Sequence, residues 1–379
     1  MRILIVLTYY APYVSGVTEF ARMVAEHLAK EHEVVVLATR HDPELATEEV
    51  INGVRVVRSE VLARLHKGMI STRFISDFRK LAQESDVVNL HLPMLEAGLL
   101  ACLCDRRKLV VTYQCDMAVT GGLVDWLAIM SARASARVAL KRAERVFVTT
   151  LDYAGTSHLA SPVGGRLLEV RAPLKRPARE IDHGGEQAFK VSPEEPRIGF
   201  VGRFVEEKGL PVLLEAFSKL LAQYPKAKLV LVGQREGVAG GGVMDRIQSS
   251  IERLGSSVEL RGKVSEAELW SIYESLDILA LPSVNRYEAF GMVQIEAMMT
   301  GSLVVASDLP GVRTIARNTG CGTIAAIGDP ESLHSALLEA LVLRGQLTRA
   351  AVARRVLEVY PPLGSLQLQQ KELERIANA

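Results

Sequence analysis

Along this chain, short runs of β-branched and aliphatic residues alternate with longer stretches in which apolar positions recur at helical spacing. That alternation predicts parallel sheets whose strands are joined by crossover helices. In the first half, strands are expected at 3–7, 33–37, 54–57, 87–90, 109–112 and 146–149, with helices at 18–29, 96–104, 127–140 and 152–159. A second series has strands at 198–201, 229–232, 258–260, 278–281 and 303–306. Its helices are expected at 210–222, 244–254, 266–275, 292–299, 331–343 and 347–359, with a last one at 365–377 after Tyr360-Pro361-Pro362. Between the two series lie His183-Gly184-Gly185 and Ser192-Pro193-Glu194-Glu195-Pro196, helix breakers and polar residues without an apolar period.

The expected fold class is therefore α/β, with two doubly wound Rossmann-like domains. They span 1–182 and 196–360, joined by a linker at 183–195 and followed by a C-terminal helical segment at 361–379. Two such sheets face a central cleft where the carboxyl ends of their strands meet, and ligands of open α/β sheets bind at those ends. No G-x-G-x-x-G follows the first strand, Gly240-Gly241-Gly242 does not satisfy that pattern, and there is no P-loop. Nothing here points to a dinucleotide or to ATP-type phosphate binding.

The segment Tyr287-Glu288-Ala289-Phe290-Gly291-Met292-Val293-Gln294-Ile295-Glu296 follows a strand, turns through a glycine and opens a helix. Glycine lets the backbone approach a ligand, and a helix start offers free amides. Glu296 sits among Ile295, Ala297, Met298 and Met299, where an unpartnered carboxylate is costly. Two readings stand: the vicinal hydroxyls of a ribose satisfy it, or it faces water near the positive end of the helix dipole. A second segment, Gly202-Arg203-Phe204-Val205-Glu206-Glu207-Lys208-Gly209, ends the first strand of the second domain. A guanidinium and an ammonium there suit a diphosphate, or else they pair with Glu206 and Glu207 on a solvated loop. His91 ends another strand and either contacts a ligand or is structural.

Taken together, these segments resemble the retaining glycosyltransferases of family 4, whose fold is the two-domain GT-B architecture. The hallmark is a pair of glutamates separated by seven residues, met by Glu288 and Glu296; the G-R-x(4)-K-G stretch is met by Gly202, Arg203, Lys208 and Gly209. The resemblance runs along almost the whole chain, from Ser15-Gly16-Val17 to Asp308-Leu309-Pro310-Gly311. It implies that Glu296 accepts from the ribose and that Arg203 and Lys208 neutralise the leaving diphosphate. It also implies that Glu288, with the amides of Phe290, Gly291 and Met292, holds the transferred sugar. Gly16 would lie against the phosphates, and the last helix would return to the first domain. Where the family often carries T-[FY]-H-x-D, this chain has Thr112-Tyr113-Gln114-Cys115-Asp116. Gln114 can hydrogen bond but takes no charge near neutral pH, so a sugar-selecting role for Gln114 and Asp116 is open and proton chemistry is in doubt.

The expected function is transfer of a hexose from a UDP- or GDP-sugar to a glycan, glycolipid or small-alcohol hydroxyl, by the retaining front-face displacement that the resemblance implies. The alternative is a nucleotide-sugar epimerase of the same fold, working without an acceptor. No Asp-x-Asp and no His/Cys/carboxylate run with ligand spacing occurs, so the expectation is no metal and no cofactor.

Composition narrows the partners. With 48% hydrophobic and 23% charged residues and a net charge of +1, the chain is not one that coats nucleic acid. Its four cysteines form no CxxC pair and read as thiols of a reducing compartment, so a cytoplasmic protein is expected. One stretch stands out: residues 55–80 hold seven Lys or Arg against Glu60 and Asp77. Interleaved Leu62, Leu65, Met69, Ile70, Phe74, Ile75 and Phe78 make it either an interfacial segment for peripheral membrane contact or a surface helix with wetted charges.

Overall fold

In the computed structural model the chain forms two compact units, Met1–Pro173 with Leu363–Ala379, and Leu174–Pro362. The described residues are 1–65, 68–116, 123–175, 181, 194–235 and 242–379. Most of the expected linker, 183–193, lies outside them, as do Lys67, Gly240 and Gly241.

The first unit runs β1 (Arg2–Val6), α1 (Gly16–Leu28), β2 (Glu33–Thr39), β3 (Glu48–Ile51), β4 (Val54–Ser59), β5 (Ala63–Leu65), β6 (Gly68–Ile70) and α2 (Thr72–Gln83). It continues with β7 (Val87–Leu92), α3 (Ala97–Leu103), β8 (Leu109–Tyr113), α4 (Leu123–Arg142), β9 (Arg145–Val148), α5 (Leu151–Thr156) and β10 (Leu167–Glu169). Eight strands form one sheet in the order β10-β9-β8-β7-β1-β2-β4-β3, parallel except for the β3–β4 hairpin. Strands covered on both faces read as unbroken apolar runs, and β1, β2 and β7 are buried almost throughout. Chain order reverses between β1 and β7, the switch point of a doubly wound sheet.

The second unit runs β11 (Arg197–Val201), α6 (Leu210–Leu220), β12 (Lys228–Val232), α7 (Met244–Leu254), β13 (Val258–Gly262), α8 (Glu266–Ser275) and β14 (Ile278–Leu281). Then follow α9 (Met292–Met299), β15 (Leu303–Ser307), α10 (Arg313–Thr319), β16 (Gly322–Ala325), α11 (Pro330–Arg344) and α12 (Arg349–Val359). Its six-stranded parallel sheet has the order β13-β12-β11-β14-β15-β16, with the switch point between β11 and β14. The final helix, α13 (Gly364–Ala377), packs in the first unit against α1 and β7. Leu366, Leu373 and Ile376 are buried there, and Arg145 and His32 reach Glu372 and Glu374 at 2.6 and 3.0 Å.

Several features depart from expectation, β10 among the added strands. The β3–β4 hairpin was not predicted, although Asn52 (φ 48°) and Gly53 (φ 83°) form the two-residue turn that an Asn-Gly pair signals. Strand β16 and helix α10 are also additional: their short runs lack a period of their own and are held by β15 and its neighbours. Residues 55–80, expected as an interfacial segment or a surface helix with wetted charges, hold the end of β4, the paired strands β5 and β6, and α2, of which only α2 has the surface-helix pattern. Arg58 is buried and pairs with Glu49 at 2.5 Å, Arg55 pairs with Glu48 at 2.7 Å, and Phe74 and Phe78 are core residues. Arg58, Phe74 and Phe78 are thus internal while Arg73, Arg79 and Lys80 stay exposed, because Arg58 sits on a strand and α2 turns its aromatic side inward. Among the described residues no helix is long and apolar enough to cross a membrane.

Candidate active site

The loops that follow β11 and β14 leave the second sheet at its switch point, and they hold most of the residues singled out from the sequence. They are locked together. The amide of Val284 donates to the Glu207 carbonyl at 2.9 Å, and Gly209, at φ 68°, approaches the other loop so closely that an added Cβ would lie 2.0 Å from the Pro282 oxygen. Only glycine meets both demands. The 3₁₀ turn Glu206–Lys208 then aims the Lys208 ammonium at Glu288, and the two form an ion pair with side chains 17% and 16% exposed. Arg203 is half exposed and lies 3.4 Å from Glu207. Glu206 pairs instead with Arg246 at 2.5 Å. The expected alternatives therefore divide: Arg203 does reach a neighbouring loop carboxylate, whereas Lys208 pairs with the glutamate of the β14–α9 loop.

Helix α9 opens on Gly291, at φ 82°, which has no side chain to make a cap bond. An uncapped start presents backbone donors to whatever lies in front of it. The turn that leads there is set by Asn285, whose side chain accepts from the Tyr287 amide at 3.0 Å, and by Gln294. Fully buried Gln294 donates to the carbonyls of Phe290 and Val312 at 3.3 and 3.1 Å. The Phe290 ring is buried edge-on against Tyr360, with centroids 6.1 Å apart, so its side chain serves packing while its backbone faces the turn. Glu296, one turn further along than Met292, accepts from the phenol of Tyr273 at 2.8 Å. Neither Tyr273 nor Gln294 was singled out from the sequence: Tyr273 lies on α8, and no local pattern links it to Glu296.

In the first unit, Ser15 caps α1 with a reciprocal pair of bonds to Thr18, its amide donating to the Thr18 hydroxyl at 2.8 Å. Gly16 follows, and a Cβ added there would meet no heavy atom within 4 Å among the described residues. Its own packing therefore does not require glycine. Arg58 braces this loop, donating to the Ala11 carbonyl at 2.8 Å. His91 is fully buried on β7 and takes a bond at Nδ1 from the Gln114 amide at 3.1 Å. Its Nε2 is a buried atom without a partner among the described residues. Asp116 accepts from the hydroxyls of Tyr113 and Ser157, and its amide donates to Tyr153 at 2.7 Å, so it anchors the loop after β8 onto α5.

Burial lowers the His91 pKa from 6.5 to about 3, so the imidazole is neutral across the physiological range. Because the folded value lies below the unfolded one, its contribution to stability is complete above pH 6.5 and is lost as pH falls toward 3. Urea titrations of the wild type should lose up to about 1.4 kcal/mol per pH unit from this group in that window. A His91→Gln variant should show a shallower acid slope; parallel slopes would mean that His91 is not buried neutral.

Two family models match. "Glycosyl transferase 4-like domain" covers residues 15–159, and "Glycosyl transferases group 1" covers 186–355. The phosphatidyl-myo-inositol mannosyltransferase of Mycobacterium tuberculosis is 26% identical over 352 residues, covering 90% of this chain and 87% of that protein. Among solved structures, sucrose-phosphate synthase from Thermosynechococcus elongatus superposes with a TM-score of 0.74 at 19% identity, covering 99% of this chain and 98% of that one. Anabaena HepE, solved in complex with UDP-glucose, gives 0.67 at 17% identity over the full length of both chains. With one model on each unit, relatives that run along nearly the whole chain and a fold shared with solved transferases, the chain belongs to the GT4-type glycosyltransferases of GT-B fold.

Proposed function

We propose that this enzyme transfers a hexose from a UDP- or GDP-sugar to a hydroxyl of a glycolipid or envelope-glycan acceptor, with retention of anomeric configuration. The observation that carries this reading is the arrangement around the start of α9: an ammonium, Lys208, beside the sugar-side glutamate, Glu288, with Glu296 one helical turn away. In this reading Arg203 and Lys208 stabilise the charge that develops on the diphosphate as the C1–oxygen bond breaks. Glu288 and the amides of Phe290, Gly291 and Met292 hold the sugar, and Glu296 accepts from the ribose. The acceptor oxygen bonds to C1 on the face that the diphosphate leaves, and the departing phosphate oxygen takes the acceptor proton. No protein base is needed, which suits a chain whose Gln114 is no base and whose His91, lowered to about 3 by burial, is too weak a base to take the acceptor proton. The expectation of metal-free chemistry rests on the absence of Asp-x-Asp from the sequence.

A glycolipid acceptor is supported by the mannosyltransferase that acts on phosphatidyl-myo-inositol and aligns along most of the chain. That alignment to a transferase makes the epimerase the less favoured reading. The test is a panel of UDP-glucose, GDP-mannose and related donors with phosphatidylinositol vesicles or without acceptor, each with and without EDTA. Mass spectrometry should find one hexose added to the lipid, undiminished by the chelator. An isomerised sugar formed without acceptor would favour the epimerase, and loss of product with EDTA restored by manganese would end the metal-free reading.

Glu296→Ala and Arg203→Ala should each lower turnover at least tenfold, since each removes a charge-assisted contact to the donor of about 1.5–3 kcal/mol. The melting temperature should hold for Arg203→Ala and fall by a few degrees for Glu296→Ala, which leaves the buried Tyr273 phenol without its acceptor. Near-normal kinetics in both would refute the assignment.

If the chain touches a membrane surface, the contact proposed is α2 and the turn before β5; exposed Arg73, Arg79, Lys80 and Leu62 support that choice. Each exposed basic residue near an anionic leaflet contributes about 1 kcal/mol. The wild type should sediment with anionic liposomes at low salt, and the triple change of Arg73, Arg79 and Lys80 to Glu should leave it in the supernatant. Equal recovery of both forms with the liposomes would discard these residues as the contact.

A further inference from the structure

Glu296 is held by a residue that neither the motif nor its neighbours contain. Tyr273 lies on α8, is fully buried, and donates its phenolic proton to Glu296 Oε2 at 2.8 Å. Its ring has little freedom. The Trp270 ring packs against it at a tilted 5.8 Å, and the Tyr273 carbonyl accepts from buried Ser302 at 2.9 Å, tying the end of α8 to the chain just after α9. Burial is the main cause holding the phenol well above its ordinary pKa, followed by the Glu296 charge itself, so it stays protonated and always donates. A carboxylate that receives a fixed donor on one oxygen has its plane and rotamer selected before any ligand arrives.

We propose that Tyr273 is a positioning residue for nucleotide recognition: its phenol fixes Oε2 of Glu296 and thereby orients the carboxylate for the vicinal hydroxyls of a ribose. The inference rests on the assignment of Glu296 to the ribose. It adds that affinity for the nucleotide is set partly by a residue on another helix. Preorganisation of this kind saves the entropy of freezing the glutamate at the moment of binding. Tyr273 touches no substrate and acts only through Glu296.

Calorimetric titration with UDP, GDP and ADP, and with the 2′,3′-dideoxy counterpart of whichever binds the wild type, tests this. Tyr273→Phe keeps the ring and its packing and removes only the donor. It should weaken the ribonucleotide about tenfold, the worth of a lost bond to a charged acceptor, and change the dideoxy form by less than about twofold. In a Glu296→Ala background the same change should add less than about twofold, because coupled residues are not additive. Equal losses for ribo and dideoxy forms, or an undiminished Tyr273→Phe effect without Glu296, would overturn the proposal and leave Tyr273 a packing residue. A wild type that binds both forms alike fails differently: it removes the ribose assignment of Glu296, and this inference with it.

Discussion

Lys208→Ala should lower kcat/KM by about 100- to 1,000-fold, the range for removing one preorganised charge donor from a developing anion. The ammonium has two tasks in the proposed reaction. It balances the diphosphate as it leaves, and before donor binds it holds Glu288, with which it shares a largely screened position. Removing it costs both, since Glu288 would then repel the donor phosphates. Lys208→Arg should recover little, because a planar guanidinium does not reproduce the compact point charge that the ammonium sets beside Glu288. The measurement is steady-state kinetics with donor varied at saturating acceptor. A loss confined to KM, with kcat intact, would mean that Lys208 binds the donor equally in ground and transition states and does not act on the leaving group.

The largest effect on stability should come from Arg349→Met. Arg349 is buried and donates to the Thr300, Leu276 and Glu274 carbonyls at 2.7 to 3.2 Å. Those carbonyls end helices α8 and α9, so one guanidinium caps two helices at their negative ends. Nearby, Asp277 is fully buried, accepts from the Arg197 amide at 2.8 Å and lies 3.2 Å from Arg344. Burial raises the Asp277 pKa, against the opposing pull of that amide and of Arg344 and Arg349. Methionine fills the volume but takes the Arg349 donor from the Thr300 and Glu274 carbonyls, leaves Leu276 with Ser302 alone at 3.1 Å, and weakens the charge balance at Asp277. Breaking such a buried network costs about 3–5 kcal/mol, or on the order of 10 °C in melting temperature for a unit of this size. Calorimetry of the two proteins decides it, and a shift within about 2 °C would show that the ends of α8 and α9 find other partners.

What the sequence determined by itself is whatever repeats locally. Unbroken apolar runs such as those of β2 and β12 announce strands covered on both faces, and the helices Met244–Leu254, Glu266–Ser275 and Met292–Met299 coincide with their periods to the residue. Gly291 and Glu296 were singled out because a strand–turn–helix with a glycine presents free amides beside a carboxylate set among apolar residues, Lys208 because a loop with two cations ends the first strand of the second series, and Glu288 through the family resemblance alone. What only the tertiary structure decided is pairing between distant segments. That Lys208 meets Glu288 and not the adjacent Glu206 or Glu207, that Tyr273 holds Glu296, and that Arg349 closes two helices all depend on loops and helices brought together by strand order β13-β12-β11-β14-β15-β16. The same holds for residues 55–80, where composition counted seven cations in one stretch and the fold buried Arg58 beside Glu49. Net charge is additive along a chain, but a face exists only once neighbouring elements have settled which side of a strand or helix meets water.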